Sequence, residues 1–84
     1  MRGRVYDAVS GQPIAGASVS VVTCLPRTFS AETGLNGRYT LLLPAQYLNA
    51  CREVTLRVTA PGCGLSQVLT VASLRANPER DVAL

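Results

Sequence analysis

Glu53-Val54-Thr55-Leu56-Arg57-Val58-Thr59-Ala60 decides the fold. Val54, Leu56, Val58 and Ala60 occupy every second position, with Glu53, Thr55, Arg57 and Thr59 between them. Successive side chains of a strand point to opposite faces, so this period of two describes a strand with one dry face and one wet face. A slip of one residue would turn every valine to solvent, which fixes the register. Upstream, Tyr39, Leu41 and Leu43 alternate with Arg38, Thr40 and Leu42. Further upstream, Ala17, Val19 and Val21 alternate with Ser18, Ser20 and Val22.

Turn residues bound these runs. Ser10-Gly11-Gln12-Pro13 ends the first run, Leu25-Pro26-Arg27 follows the second, and Pro44 closes the fourth. Asn36-Gly37 carries a strong hairpin signal, because both residue types tolerate positive φ. Pro61-Gly62-Cys63-Gly64 closes the fifth run and Asn77-Pro78 precedes a short last one. Seven strands are expected, at residues 2–8, 17–23, 28–33, 38–43, 52–60, 66–72 and 80–84. The sixth alternates poorly, since Val68, Leu69 and Val71 cannot share a face.

Seven short strands with a turn every 8–12 residues predict an all-β sandwich. Eighty-four residues make one domain, and no linker, internal repeat or low-complexity tract divides them. A chain this short buries only roughly 60–65% of its unfolded surface, so its stability is marginal without a staple. The hydrophobic fraction is 48%, mainly Val, Leu and Ala, with four aromatics: Tyr6, Phe29, Tyr39 and Tyr47.

The charge of +3 comes from eight arginines, with no lysine, against five carboxylates. Nucleic-acid and anionic-membrane footprints are clustered, whereas these arginines are spread along the chain, so neither partner is expected. No window approaches the ~20 consecutive apolar residues of a membrane span. No signal peptide is read either, because Arg2 and Arg4 lead directly into a strand. The abrupt start predicts a domain excised from a larger multidomain protein.

A family pattern joins the motifs. Gly3-Arg4-Val5-Tyr6-Asp7 is followed by Gly11-Gln12-Pro13-Ile14-Ala15-Gly16-Ala17-Ser18-Val19. Thr33-Gly34-Leu35-Asn36-Gly37-Arg38-Tyr39, Leu41-Leu42-Leu43-Pro44, Pro61-Gly62 and Asp81-Val82-Ala83-Leu84 continue it in order. Together they resemble the carboxypeptidase regulatory-like domains over nearly the whole chain. The resemblance implies a seven-stranded, transthyretin-like (prealbumin-like, Ig-like) Greek-key β-sandwich. It also implies a non-catalytic module, as found beside metallocarboxypeptidases, in bacterial surface proteins and in outer-membrane receptors. The sequence departs from the pattern at Cys63, where an aromatic usually follows Pro-Gly.

In the family fold the second and fifth strands are neighbours in one sheet. That adjacency, carried over, brings Cys24 and Cys51 to one end, implies a disulfide between them and leaves Cys63 free. A disulfide implies an oxidising compartment, so the domain is expected to be extracytoplasmic, secreted or at the cell surface.

The residues themselves offer little chemistry. There is no histidine, which removes the usual acid–base pairs, nucleophile dyads and zinc sites, and no enzyme activity, metal or cofactor is expected. Asp7 and Glu32 fall near one end of the strand scheme; the expectation is that Asp7 satisfies backbone donors in its turn and Glu32 is solvated, the alternatives being a glycosidase-like carboxylate pair or a calcium site shared with backbone carbonyls. Arg27, Arg52 and Arg75 lie in or beside loops at one end of the sandwich, with Tyr47 in the loop before the fifth strand. These four are the candidate ligand contacts. The expected role is a structural or accessory module contacting neighbouring domains; the alternative is a protein- or carbohydrate-binding module using the loops at that end.

Overall fold

The computed structural model describes residues 1–25 and 27–84. Along the chain run β1 (Arg2–Tyr6), β2 (Ser18–Val22), β3 (Thr28–Glu32), β4 (Arg38–Thr40) and α1 (Ala45–Ala50). Then come β5 (Glu53–Ala60), β6 (Cys63–Thr70), α2 (Val71–Ala76) and β7 (Val82–Ala83). The strands form two sheets, of order β4-β1-β7 and β3-β2-β5-β6. The chain changes sheet four times, after β1, β3, β4 and β6, which makes the expected seven-stranded Greek-key sandwich.

β5 behaves as its alternation requires. Val54, Leu56 and Val58 are buried, while Glu53 and Arg57 are exposed. Its antiparallel pairing with β2 sets Val58 opposite Val19 and Leu56 opposite Val21. These meet Val5, Tyr39, Leu41 and Val82 from the other sheet in one core cluster. Burying a Val or Leu side chain contributes about 1.5–3 kcal/mol each, so this central set dominates the stability.

Close packing of the two chain ends depends on one glycine. β1 runs parallel to the segment leading into β7, with Arg80 N–H donating to the Arg2 carbonyl at 2.7 Å. A Cβ on Gly3 would lie 1.8 Å from the Arg80 carbonyl oxygen, so no other residue fits there. Tyr39 Oη donates to the same carbonyl at 2.6 Å. Burial pushes the Tyr39 phenol up to about 12, with Asp81 adding to the effect and Arg80 opposing it.

Several element boundaries differ from the sequence expectation. β4 stops at Thr40 rather than residue 43, because β1 begins at Arg2 and only the Met1–Leu41 backbone pair extends the ladder. Leu42 is left 83% exposed. β6 begins at Cys63 and ends at Thr70, not 66–72, because Pro61-Gly62 alone makes the turn, with Gly62 at φ +79°. Leu69 is its inward, buried residue, Val68 faces out, and Val71 belongs to α2, which resolves the poor alternation. β1 stops at Tyr6 and β7 is confined to Val82–Ala83.

The turn at Asn36-Gly37 is tight, but it is not a hairpin. Gly37 N–H donates to the Gly34 carbonyl at 2.9 Å and Gly37 has φ +75°. The strands it joins lie in different sheets, β3 beside β2 and β4 beside β1, so the turn is a corner between layers. The break expected at Leu25-Pro26-Arg27 has its proline outside the described residues.

Candidate functional site

Strand register sorts the loops into two ends. Ser18 pairs with both Glu32 and Thr59, so the β3–β4 corner and the Pro61-Gly62 turn share one end. Val22 pairs with Thr28 and Thr55, and Glu53 with Thr70, so the β2–β3 loop, α1 and α2 share the other. The candidate residues Arg27, Tyr47, Arg52 and Arg75 and both cysteines of the expected bridge belong to this helix end.

The disulfide is present. Cys24 and Cys51 are bonded with a Cα–Cα distance of 5.7 Å, and Cys63 is free and exposed at the start of β6. The bridge ties the segment just past β2 to the two-residue connection between α1 and β5. Closing 27 residues of chain, it stabilises the fold by about 3.5 kcal/mol in the chain-entropy description. Beside it, buried Thr23 both accepts from Arg27 N–H at 3.3 Å and donates to the Arg27 carbonyl at 3.1 Å.

The two helices are each six residues long. Thr70 caps α2, its side chain accepting from Ser73 N–H at 3.2 Å. α1 has Pro44 at its N-cap, with Leu43 just before it and Leu48 four residues on, the spacing of a hydrophobic staple. Leu43 and Leu48 line one pocket of about 240 Å³ together with Met1, Leu42, Leu74 and Pro78. A shallower hollow of about 390 Å³ continues past Asn49, Arg52, Val71 and Ala72. Leu48 and Arg75 line both, so the two form one groove between α1 and α2.

The structure therefore brings Arg52 and Arg75 to one groove. Arg75 reaches across it to donate to Asn49 Oδ1, and Val71 N–H donates to the Arg52 carbonyl at 2.8 Å, joining both helices to the start of β5. Arg27 is exposed and lines neither hollow. Tyr47 packs edge-on against Phe29 at 5.1 Å between ring centroids, which seats α1 on β3 and keeps this ring out of the groove lining. Of the leucines that line this groove, Leu43 and Leu48 carry a sequence signal in the staple spacing around Pro44, and nothing local in the sequence marks Leu42 or Leu74.

At the opposite end Asp7 is a turn residue. One carboxylate oxygen accepts from Ser10 N–H at 3.0 Å and Val9 N–H at 2.8 Å, which together hold the carboxyl below its usual range. Glu32 is exposed at the end of β3. Among the described residues, no group of three or more His, Cys, Asp or Glu side chains is arranged to hold a metal ion. Also among them, no helix is long and apolar enough to cross a membrane.

Comparison with curated proteins and with solved structures finds no match. The sequence profile of the carboxypeptidase regulatory-like domain matches residues 1–84, the span of both sheets and both helices. The chain belongs to the carboxypeptidase regulatory-like domain family.

Proposed function

We propose that the domain is a non-catalytic accessory module of a secreted or cell-surface multidomain protein, stabilising or positioning its neighbours. The family consists of small β-sandwich modules, often accessory and generally without catalysis. The observation that carries the reading is the Cys24–Cys51 bridge. Structural disulfides persist in oxidising compartments and are rare where thiols are kept reduced. With no histidine, no nucleophile has an imidazole base to activate it.

The test is peptide mapping without reductant on the natural full-length protein, with free thiols alkylated before cell lysis. A Cys24–Cys51 linked peptide is expected, recovered from the extracytoplasmic fraction. Both cysteines alkylated in freshly lysed cells would overturn the compartment. The purified domain is expected to hydrolyse no ester, peptide or glycoside; turnover that survives repurification and disappears on Asp7→Ala or Glu32→Ala would overturn its non-catalytic role.

A further inference from the structure

The groove between α1 and α2 combines an apolar well with an unbalanced positive rim. Leu43, Leu48 and Leu74 form the well, and exposed Leu42 extends its lip. Arg75 lines the edge of the well and Arg52 the hollow that continues it, and among the described residues no carboxylate lines either hollow. Groove and rim thus ask for a ligand that is apolar at one point and anionic a few ångströms away.

Size and chemistry narrow the choice. At about 240 Å³ the well falls below the roughly 300–1,000 Å³ of pockets that enclose a drug-sized molecule, but it accommodates a large side chain from a partner. A sugar ligand would want an aromatic platform, and none of the four aromatics lines the groove. Protein contacts, by contrast, commonly set an apolar anchor in a pocket inside a polar rim. Arginine's planar fork matches a carboxylate, and Asn49 already holds the Arg75 guanidinium in place over the groove.

The geometry points to docking of an extended acidic–apolar segment of a partner polypeptide, with a leucine-sized side chain in the Leu43–Leu48–Leu74 well and carboxylates on Arg52 and Arg75. This rests on the reading of the chain as an accessory module and names the contact by which it holds its neighbour. Charge attraction across an exposed rim is screened by salt, so affinity falls as ionic strength rises.

The test is amide NMR titration of the isotope-labelled 84-residue chain with an acetylated, amidated heptapeptide alternating leucine and glutamate. Shifts are expected at α1, α2 and residues 42–43, and not at the β3–β4 corner. The Arg52→Gln/Arg75→Gln pair should weaken binding about tenfold or more, as loss of charge-assisted hydrogen bonds does. Leu42→Glu should also weaken it. All three positions are exposed, so an unchanged melting temperature shows that a weakened variant is still folded. Replacing glutamate by lysine, or leucine by serine, in the peptide should abolish the shifts. No shifts at millimolar peptide, equal binding of the lysine peptide, or saturation by laurate with none by peptide would each overturn the docking site. None of these failures touches the accessory reading, which is tested separately by mapping the bridge and by the turnover screen.

Discussion

The two ends of the sandwich are closed in different ways. At the corner end, backbone and short polar side chains satisfy one another. Thr33 Oγ1 accepts from Ala17 N–H at 2.8 Å and donates to the Ile14 carbonyl at 2.6 Å, and Asp7 takes the Val9 and Ser10 amides. At the helix end a covalent bond does the closing, and the groove between two short helices stays open, with Leu42, Arg52 and Arg75 exposed along it. The hydroxyl of Thr33 and the carboxylate of Asp7 are thus committed to holding the corner's own turns, although Val9 and Leu35 stand exposed there. An end held by a cross-link can be left open, because the bridge supplies stability that packing does not.

That contrast breaks most severely at Gly37. A Cβ there would lie 2.6 Å from the Val5 carbonyl and 2.9 Å from Pro13 Cβ, on a backbone at φ +75°. Gly37→Val combines left-handed strain with overpacking, for an expected loss of about 4 kcal/mol in urea denaturation. A midpoint equal to wild type would mean the corner is not built this way.

Next in size is the bridge. Cys24→Ala with Cys51→Ala should cost about 3.5 kcal/mol, read as a lower denaturant midpoint. A loss under about 1 kcal/mol would show that α1 and α2 hold the helix end without it.

Thr33→Val removes the hydroxyl but keeps the shape. It leaves the Ala17 amide and the Ile14 carbonyl without their partner inside the corner, for about 2 kcal/mol by thermal melt. Thr33→Ser, which retains both bonds and lacks only the methyl, should lose less; a Thr33→Val melt equal to wild type would mean that these two bonds do not hold the corner.

The smallest effect is acid-dependent. Hydrogen bonds lower the Asp7 pKa in the folded state, so its contribution is present above the unfolded value near 4 and is lost as pH falls through the lower folded value. Asp7→Asn keeps an acceptor without the titration and should flatten that part of the stability–pH curve. An unchanged acid slope would remove Asp7 from the account.

Legibility followed burial contrast. Residues 53–60 were readable because Val54, Leu56 and Val58 are buried while Glu53 and Arg57 are wet. β6 is paired to β5 along its whole length but sits at the sheet edge, exposed everywhere except Leu69, so its sequence is under no alternating constraint. Helices α1 and α2 are under two turns each, too short for a period of 3.6 to show, although the Thr70 cap and the Leu43/Leu48 spacing were there to read. Gly37 announced a positive φ, and only the sheet order could say that the turn joins two layers. The placement of Cys24 beside Cys51 came through the family's strand order, since nothing local to either cysteine names its partner. Arg52 and Arg75 were placed at the correct end, but their shared groove depends on helices the pattern did not reveal.

Native-state hydrogen exchange on the oxidised and reduced chain tests this division of labour most directly. With the bridge reduced, the amides of Cys24, Cys51 and Val71 should lose protection, while those of Gly16, Ala17 and Thr33 keep theirs until the whole domain unfolds. Equal loss at both ends, or earlier loss at the corner, would contradict the account.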